Sequence, residues 1–245
     1  MSAPLGTIRT VACPSLRAEP SPVNLRQCIP ESAWNDLLSS GSRRSYSPGA
    51  PLMHQGRAPG FVVALIQGTV KVTEDTRDGQ NVPLALRGPG ELLGEVGVLL
   101  DQPRTASVWA VTRCVGHSIP SSTFLSLVER NRLTGALHRF SLNRSLEKEA
   151  HLQSLRRDST EARMARFLAH LAREVGEIRG RSTTIHLGMD RAELGLMLRM
   201  SRATAIESLG HLKALELIKC GRKHIEVPDI DTLDLYTTRE LRDVI

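Results

Sequence analysis

The feature that most constrains this chain is the stretch at residues 190–212, which reads DRAELGLMLRMSRATAIESLGHL. It predicts two short helices joined by a tight turn. Asp190 stands at the N-cap of the first helix with Glu193 three positions later, which is the spacing of a capping box, and Ser201 is the N-cap of the second helix. A helix-turn-helix of this size fits the major groove of DNA, although an ordinary helical hairpin has the same pattern.

In the second predicted helix, Ile206, Leu209 and Leu212 recur at helical spacing, and we expect all three to face a core. The other face is then free to meet DNA. We predict that the DNA-contacting residues come from both helices and from the basic turn that follows them. This set comprises Arg191, Ser201, Arg202, Ala203, Thr204, Glu207 and Lys223.

The basic turn spans residues 219–224, KCGRKH, and precedes residues 225–227, whose alternation is typical of a short strand. Such a hairpin, or wing, neutralises phosphates while a neighbouring helix contacts bases. Residues 161–227 hold 12 Lys and Arg against 8 Asp and Glu, which gives +4 of the net charge of +6 carried by the chain. We therefore predict a winged helix-turn-helix domain at residues 158–228 and an extension at 229–245.

The composition indicates a globular chain of two domains, because 245 residues with 40% hydrophobic content can bury a sizeable core. The pI of about 9.5 suits a polyanionic partner. Neither a secretory leader nor a run of ~18 apolar residues is found, so we expect neither secretion nor a membrane span. Four scattered cysteines without CxxC spacing favour a reducing cytoplasm over a zinc site or a disulfide framework.

The first half of the sequence predicts a β-barrel. Residues 1–28 are rich in Pro and Ser, and we expect a disordered tail there. After a short helix at residues 30–38, brief apolar runs alternate with Gly and Pro turns, which is typical of a sandwich or barrel. The fold class is therefore α+β, with a jelly-roll-like barrel at residues 29–130. We expect its strands at residues 51–54, 61–66, 69–73, 82–86, 107–111 and 115–119.

Residues 121–155 predict helical structure with two apolar stripes that do not form one seam. A long helix with more than one apolar face can pack on its own barrel and on the same helix of a second copy. We therefore assign residues 131–157 to a dimerisation helix and predict a homodimer, with a helix buried inside one monomer as the alternative. A hinge at residues 156–159 then precedes a helix at Thr160–Val175.

A second informative cluster lies within the β region at residues 94–106, GEVGVLLDQPRTA. A phosphate can be held by backbone N–H groups at the start of a short helix and by the guanidinium of Arg104. Glu95 can accept a hydrogen bond from a ribose hydroxyl. A glycine-rich turn with Arg104 on a solvated surface is the alternative. The candidate ligand-binding residues are Gly94, Glu95, Val96, Gly97, Arg104, Thr105 and Ala106.

The two clusters, together with Gly68 before a strand and the Pro89-Gly90 pair, resemble bacterial regulators of the cyclic AMP receptor protein type, the CRP/FNR family. The resemblance covers about residues 29–228. It implies a cyclic-nucleotide-binding barrel, a dimer helix and a winged helix-turn-helix in a transcriptional regulator that is not an enzyme. By position, Glu95 resembles the acceptor of the ribose 2′-hydroxyl, and Arg104 resembles the partner of the cyclic phosphate, with Thr105 as the neighbouring hydroxyl.

The same resemblance implies allosteric control of DNA binding by a cyclic nucleotide, cyclic AMP first and cyclic GMP second, without a metal. The implied partners are a second copy of the chain, double-stranded DNA with a palindromic site, and RNA polymerase, with no membrane. Arg202 resembles a base-reading arginine of the family. The family's adenine-contacting Thr-Ser pair is replaced by Lys148 and Glu149, and Ala203 and Glu207 also depart from its pattern. We therefore expect a different operator.

Other functions stay open on the sequence. The barrel can serve as a dimer scaffold for constitutive DNA binding or can sense another signal. A cupin-like metal enzyme needs three or four ligands, whereas only His54 and His117 lie on predicted strands. An iron–sulfur sensor needs closely spaced cysteines, and Cys13 and Cys28 are far apart. Haem binding through His54 or Cys114 is a further alternative.

Overall fold

The computed structural model describes residues 24–221 and 223–243. Within these ranges the chain forms an N-terminal part of two β-sheets with flanking helices, a long connecting helix, and a C-terminal part of helices around a small sheet. This is the α+β architecture that the sequence predicts, with jelly-roll-like sheets in the N-terminal part. In the described ranges we find no helix with the length and apolar character needed to span a membrane.

The start of the described chain differs from the disordered tail expected at residues 1–28. Residues 1–23 of that tail lie outside the described residues, and the expectation is wrong for the remainder. Helix α1, Leu25–Cys28, begins with a capping box in which Asn24 and Gln27 exchange hydrogen bonds. Leu25 is buried in the apolar core beneath it, so capping and burial tie this segment to the fold.

The N-terminal part consists of two four-stranded antiparallel sheets. Its elements are α2 Glu31–Ser39, β1 Ser42–Tyr46, β2 Pro51–Met53, β3 Phe61–Gln67, β4 Val70–Asp75, β5 Asn81–Arg87, β6 Leu92–Leu93, α3 Glu95–Leu100, β7 Ser107–Ala110 and β8 Cys114–Pro120. The strand orders are β1-β8-β3-β6 and β2-β7-β4-β5. The sequence pattern does not predict β1, because its residues, SRRSY, are mostly exposed and lack apolar alternation. It does not predict β6 either, because that strand has only two residues.

Strand β3 is buried on both faces and organises the N-terminal core. Val63 and Leu65 pack between the two sheets, whereas Val62 and Ala64 pack against the helices on the outer side. Successive side chains of a strand point to opposite faces, so two different cores share this one strand. Its sequence, FVVALIQ, is accordingly a continuous apolar run rather than an alternating one.

The glycine turns expected from the sequence are present. Gly49, Gly68, Gly79 and Gly90 all have positive φ values, which residues with a side chain rarely adopt. The requirement is strictest at Gly68, where a Cβ atom would lie 2.4 Å from the carbonyl oxygen of Arg113. A side chain at this position would therefore force the β3–β4 turn away from the start of β8.

The helical region expected at residues 121–155 is divided into α4, Ser121–Arg130, and α5, Thr134–Arg157. The break falls at Arg132, whose φ of 51° is left-handed, and the N–H of Leu133 donates to the carbonyl of Val128. The region expected to be one helical stretch is therefore two helices.

Helix α5 buries only its first part in its own chain. Leu137 and Phe140 belong to the N-terminal core. Further along the helix, Leu142, Leu146 and Leu152 are 50%, 55% and 38% exposed, respectively. The alternative of a helix buried within one monomer therefore does not describe the second half of α5, where leucines remain uncovered by the described chain.

The C-terminal part consists of helices packed on a small antiparallel sheet of order β11-β12-β10-β9. Its elements are α6 Thr160–Val175, β9 Glu177–Arg179, β10 Ser182–His186, α7 Arg191–Leu198, α8 Arg202–Ala214, β11 Lys219–Cys220, β12 His224–Val227 and α9 Ile230–Asp243. The predicted bounds of α6 and the predicted N-caps of α7 and α8 agree with the structure. The wing differs from its prediction, because Lys219–Cys220 and His224, expected in the basic turn, belong to the paired strands β11 and β12. The β9–β10 hairpin was not predicted, because β9 is a three-residue, fully exposed strand.

Helix α9 belongs to the C-terminal core and is not the separate extension expected at residues 229–245. It packs on α6, and its Leu233 is fully buried with the other apolar residues of this part. Arg173 of α6 also forms an ion pair with Asp234. The C-terminal part therefore continues past the expected boundary at residue 228 and includes α9 up to residue 243. Residues 244–245 lie outside the described residues.

The two parts of the chain pack against each other along strands β4 and β5. Leu86 of β5 is fully buried in the apolar core of the C-terminal part. Lys71 of β4 forms an ion pair of 2.6 Å with Glu193 of α7. A Cβ atom at Gly188 would lie 2.5 Å from the side chain of Val111, so the loop before α7 closely approaches the β7–β8 turn.

A buried charge cluster around Arg87 joins the same two parts. The guanidinium of Arg87 hydrogen-bonds Glu174 of α6. It also lies 4.0 Å from the carboxylate of Glu91 and 3.9 Å from that of Glu147 on α5. One arginine thus faces three carboxylates from the β5–β6 loop, the connecting helix and the C-terminal part. Its side chain is only 12% exposed.

Burial opposes the charges of this cluster, and the cluster members offset that cost for one another. Burial by itself would lower the pKa of Arg87, but the neighbouring carboxylates, with Glu174 first, raise it above its ordinary value. Burial would raise the pKa of Glu174, but hydrogen bonds from His170 and Arg87 lower it. For Glu91, burial prevails and raises the pKa to about 7. Removing Arg87 would leave Glu91 paired with Arg144 and Glu174 paired with His170, and would take away the cation that the three carboxylates share.

We expect Arg87→Met to lower the free energy of unfolding by about 3–5 kcal/mol, because it breaks a buried ion pair and removes the cation that Glu174, Glu91 and Glu147 share. Arg26→Met is the matched control, since Arg26 pairs with Glu31 in solvent and should change stability by less than about 1 kcal/mol. Urea denaturation followed by circular dichroism measures both. Adding Glu174→Gln to Arg87→Met should recover part of the loss. Equal denaturation midpoints for the two single variants would contradict the structural role of Arg87.

Candidate functional site

The residues expected to hold a phosphate come together where α3 begins. Gly94, with a φ of 82°, turns the chain into this helix. A Cβ atom at Gly94 would lie 2.4 Å from Nη1 of Arg104, and one at Gly97 would lie 3.0 Å from the carbonyl oxygen of Gln102. Two glycines therefore let the guanidinium of Arg104 lie directly against the backbone.

Arg104 is buried, with 6% of the residue exposed, so the alternative that places it on a solvated surface is wrong. Its guanidinium donates hydrogen bonds to the carbonyl oxygens of Gly94 and Phe61 and lies 5.3 Å from the centre of the Phe61 ring. Among the described residues no carboxylate lies within ion-pair distance of it. The pKa of Arg104 lies below its ordinary value, because the lowering by burial exceeds the raising by the charge of Glu95. Among the described residues, the positive charge is thus held by the neutral carbonyl oxygens of Gly94 and Phe61.

The carboxylate of Glu95 faces an arginine that the sequence analysis missed. Nη1 of Arg144, on α5, lies 3.8 Å from Glu95, and Nη2 of the same guanidinium hydrogen-bonds Glu91. The guanidinium also stacks 4.4 Å from the centre of the Phe140 ring. Arg144 is 53 residues from Glu91 in sequence, and nothing in the local pattern indicates that contact. The structure therefore extends the candidate site from the barrel onto the connecting helix.

The other candidate ligand-binding residues differ in their accessibility. Val96 is 40% exposed, Gly97 is buried, Thr105 is exposed and Ala106 is half-buried. Thr105 makes no hydrogen bond with another described residue, so its hydroxyl is free to bind a ligand. Lys148 and Glu149, which the resemblance places near the adenine-contacting positions, are both exposed on α5.

The residues of the metal-enzyme and haem alternatives are separate from one another and have local partners. His54 packs edge-on against Trp109, with ring centres 5.5 Å apart, and Nδ1 of His117 lies 2.6 Å from the carbonyl oxygen of Leu38. Cys114 is fully buried, and burial raises the pKa of its thiol to about 11. Across residues 24–221 and 223–243, no group of three or more His, Cys, Asp or Glu is placed to hold a metal ion.

The first helix of the predicted helix-turn-helix begins with the capping box that the sequence indicates. The carboxylate of Asp190 accepts hydrogen bonds from the N–H groups of Ala192 and Glu193 at 2.7 and 2.9 Å. The carboxylate of Glu193 accepts from the N–H of Asp190 at 2.9 Å. The hydrogen bond from the Glu193 N–H is the main cause of the lowered pKa of Asp190. These bonds fix the start of α7.

The turn between α7 and α8 is tight although an arginine occupies its left-handed position. Arg199 has a φ of 50°, a conformation that is costly for a residue with a side chain. A Cβ atom at Gly195 would lie 2.7 Å from the carbonyl oxygen of Met200, so the turn packs directly on α7. The helix-turn-helix thus forms with Arg199 in its turn.

Helix α8 shows which of its predicted residues face the core. Leu209 and Leu212 are buried as expected, but Ile206 is 50% exposed, so its assignment to the core is wrong. The buried face is completed instead by Ala205 and Ser208, which stand at helical spacing with the two leucines. Ile206 lies one position away from Ala205, which turns its side chain to the other side of the helix.

The candidate DNA-contacting residues fall into two groups. Ser201 and Thr204 are used in capping α8, because the Ser201 hydroxyl accepts a hydrogen bond from the N–H of Thr204 at 3.0 Å. Arg191, Arg202 and Lys223 line a cleft between the two helix starts and the wing. None of these three makes a hydrogen bond or an ion pair with another described residue. The cleft also borders on α8, where Ala203 and Glu207 are exposed.

The electrostatics of this cleft suit a polyanion. Three cationic side chains converge there with His224 of the wing, and the acidic residue beside them, Asp190, is already bonded to backbone N–H groups. Exposed cations without carboxylate partners attract phosphates at little desolvation cost. The arrangement can therefore neutralise a phosphate backbone while α8 projects from the same surface.

Two domain-family models match the chain in the order of its two structural parts. The model of the Cyclic nucleotide-binding domain matches residues 43–131, from β1 to the end of α4, and includes Gly94 and Arg104. The model of the Crp-like helix-turn-helix domain matches residues 162–236, from α6 into α9, and includes the cleft and the wing. The α5 helix connects the two matched segments.

Relatives share this arrangement over most of their length. The chain is 28% identical over 199 residues to the "Cyclic AMP receptor protein" of Thermus thermophilus, covering 80% of this chain and 88% of that protein. It is 23% identical over 186 residues to the "CRP-like cAMP-activated global transcriptional regulator" of Mycobacterium tuberculosis, covering 76% and 83%. The solved structure of the c-di-GMP responsive global regulator CLP of Xanthomonas campestris has the same fold, with a TM-score of 0.65 at 21% identity, covering 81% and 99%.

These comparisons agree with the geometry of the molecule. A β-rich domain that contains the buried Arg104 precedes a long helix, and a helix-turn-helix with a basic wing follows it. The same two domains are matched in this order, and the relatives that span both are named as receptors or regulators of this type. The chain belongs to the CRP/FNR-type family of transcriptional regulators.

Proposed function

We propose that this regulator acts as a homodimer that binds palindromic DNA, and that a cyclic nucleotide bound in the N-terminal domain controls this binding. The observation that carries the proposal is the guanidinium of Arg104, which is buried, bonded only to carbonyl oxygens and unpaired with any described carboxylate. A buried cation of this kind is expensive unless an anion completes its environment. A cyclic phosphate would supply that anion.

The neighbouring groups suit the rest of a nucleotide. The carboxylate of Glu95 can accept a hydrogen bond from a ribose hydroxyl, and the free hydroxyl of Thr105 can donate to a phosphate oxygen. Gly94 and Gly97 leave the backbone open to close approach. The site thus has one cation for a phosphate and one carboxylate for a ribose. A nucleotide can use both groups, whereas a simple anion can use only the cation.

Cyclic AMP is the effector that we place first. The names of the relatives in Thermus and Mycobacterium refer to cyclic AMP. Cyclic GMP remains the second candidate. It is kept because Lys148 and Glu149 do not provide the hydroxyl pair with which relatives are expected to contact adenine. Neither of these two exposed residues fixes the base through a buried contact, so the phosphate and the ribose dominate recognition in this proposal.

A continuous run of ionic contacts supports coupling between the ligand site and the C-terminal domain. Glu95 faces Arg144, Arg144 bonds Glu91, and Glu91 lies beside Arg87. Arg87 in turn bonds Glu174 on α6. A ligand that hydrogen-bonds Glu95 changes the balance of charge at one end of this run. We expect a coupling free energy of about 1–3 kcal/mol between the effector and DNA.

On the DNA side, a twofold-symmetric dimer presents two copies of α8. For both to enter one face of the duplex, the half-site centres should lie about 34 Å apart. In this proposal Arg202 contacts a guanine, whereas Arg191 and Lys223 contact phosphates. The promoter-bound dimer would then act through RNA polymerase, as the family resemblance implies.

A constitutive regulator is the second candidate, and one observation favours it. Arg104 already has two carbonyl acceptors, and the adenine-contacting pair is missing, so the N-terminal domain can be a dimer scaffold without an effector. DNA binding that is equal with and without nucleotide would select this candidate. The DNA-contacting residues and the dimer are the same in both proposals.

Isothermal titration calorimetry against cyclic AMP, cyclic GMP and cyclic di-GMP tests the effector. We expect a cyclic mononucleotide to bind, and Arg104→Ala to weaken its binding roughly 10- to 100-fold, which corresponds to the loss of a charge-assisted hydrogen bond. Arg77→Ala, which removes an exposed arginine in the β4–β5 turn, is the control and should bind like the unmodified protein. Heat from no nucleotide, or identical titrations for both variants, would contradict the pocket assignment.

The two cationic roles at the DNA surface are separable. Arg202→Ala should cost about 1–3 kcal/mol on the selected operator and relax the preference at one base position. Lys223→Ala should weaken specific and random DNA alike and should reduce the slope of log affinity against log salt by about 1. Fluorescence anisotropy at several salt concentrations measures both. A uniform loss on all sequences for Arg202→Ala is incompatible with base contact.

The dimer is tested through the uncovered leucines of α5. Leu142→Glu combined with Leu146→Glu should convert a dimer into a monomer, because a charge is costly inside an apolar helix interface. Leu84→Glu, at a leucine of β5 that is 48% exposed, is the matched control and should stay dimeric. Sedimentation velocity gives the masses. A dimer in all three proteins would place the interface elsewhere, and a monomeric unmodified protein would contradict the proposed homodimer.

A further inference from the structure

The outward face of α8 has a composition that the proposed phosphate contacts do not explain. Opposite the buried residues of this helix, the exposed positions 203, 206, 207 and 210 follow one another at helical spacing and form one face. We call these four residues the outer face of α8. It consists of Ala203, Ile206, Glu207 and Gly210, and the exposed cations Arg202 and Lys213 border it, four positions before and seven positions after Ile206.

Ile206 is the largest apolar side chain of this face. It is 50% exposed and is not among the residues that pack against the C-terminal core. A β-branched residue adds little to the stability of an exposed helix position. Neither packing in the described residues nor helix propensity therefore accounts for an isoleucine at position 206. A contact with a molecule outside the monomer would account for it.

The neighbours of Ile206 favour close approach to a surface. Ala203 precedes it by three positions on the same face, and Gly210 follows it by four with no atom within 4 Å of where a Cβ would be. Small residues on both sides let the helix axis come near whatever the face contacts. Arg202 at the start of the helix and Lys223 of the wing flank the face with positive charge.

The acidic member of the face indicates what it contacts. Glu207 would be repelled by phosphates, so the outer face suits base edges better than the sugar-phosphate backbone. A carboxylate can accept a hydrogen bond from the amino group of cytosine, and an apolar side chain can contact the C5-methyl group of thymine. The face thus combines an apolar contact and an acceptor, both of which base edges can satisfy.

We infer that Ile206, supported by Ala203, reads the C5-methyl group of a thymine in each half-site, next to the guanine contacted by Arg202. The inference rests on the proposed DNA-binding function and adds a specificity-determining residue to it. Every operator half-site then contains one thymine that the protein distinguishes by its methyl group alone. Contact with a second protein through Ile206 is the competing explanation, and the test separates the two.

The experiment replaces individual thymines of a selected operator by deoxyuridine, which removes only the methyl group. Operator duplexes are first selected from random DNA with the unmodified protein. At one thymine per half-site, deoxyuridine should weaken binding about four-fold, which is the effect of one buried methyl group. The Ile206→Ala variant should bind the thymine operator no more tightly than the unmodified protein binds the deoxyuridine operator. It should also no longer distinguish deoxyuridine from thymine at that position.

Leu235→Ala is the matched control, because this leucine of α9 is 59% exposed and lies outside the outer face. It should retain both the affinity and the sensitivity to deoxyuridine. If every deoxyuridine operator binds like its thymine parent, or if Ile206→Ala keeps the same sensitivity, the inference is wrong. Failure to select any duplex would instead overturn the proposed function, so the two failures are distinguishable.

Discussion

The buried guanidinium of Arg87 is the interaction on which the arrangement of the whole chain depends. It stands at the end of β5 and meets carboxylates from the β5–β6 loop, from α5 and from α6. A charge removed from water is tolerated only when its partners are in place. Each of these elements is therefore held in position by the others, and the C-terminal domain cannot leave the barrel without exposing or orphaning buried charges.

The same cluster lies next to the candidate ligand site. Glu91 is shared between Arg87 and Arg144, and Arg144 also faces Glu95. In a site of low dielectric, a change in one of these charges is felt by its neighbours far more strongly than it would be in water. In the proposed regulation, a ligand in the N-terminal domain acts through this cluster on the contact between β5 and α6, separately from any change at a dimer interface.

Local features of the sequence predicted much of the fold. The capping box at Asp190, the bounds of α6, the left-handed glycines of the barrel turns and the apolar run of β3 all depend on neighbours in sequence, and the structure confirms them. The failures are at short or exposed elements, such as β1, β9 and α1, whose stability comes from pairing or docking and not from their own pattern. Ile206 was misplaced because a helical repeat leaves the centre of the buried face uncertain by one position.

The sequence by itself determined the order of the two domains, the helix-turn-helix with its wing, and the residue types of both candidate sites, because periodicity, capping and turn chemistry are local properties. Only the tertiary structure decided that Arg104 is buried against carbonyl oxygens, that Arg144 reaches Glu91 and Glu95, and that Ile206 faces outwards. The physical reason is that burial and ion pairing arise between residues distant in the chain. Their energies depend on which surfaces meet, and no local pattern records that.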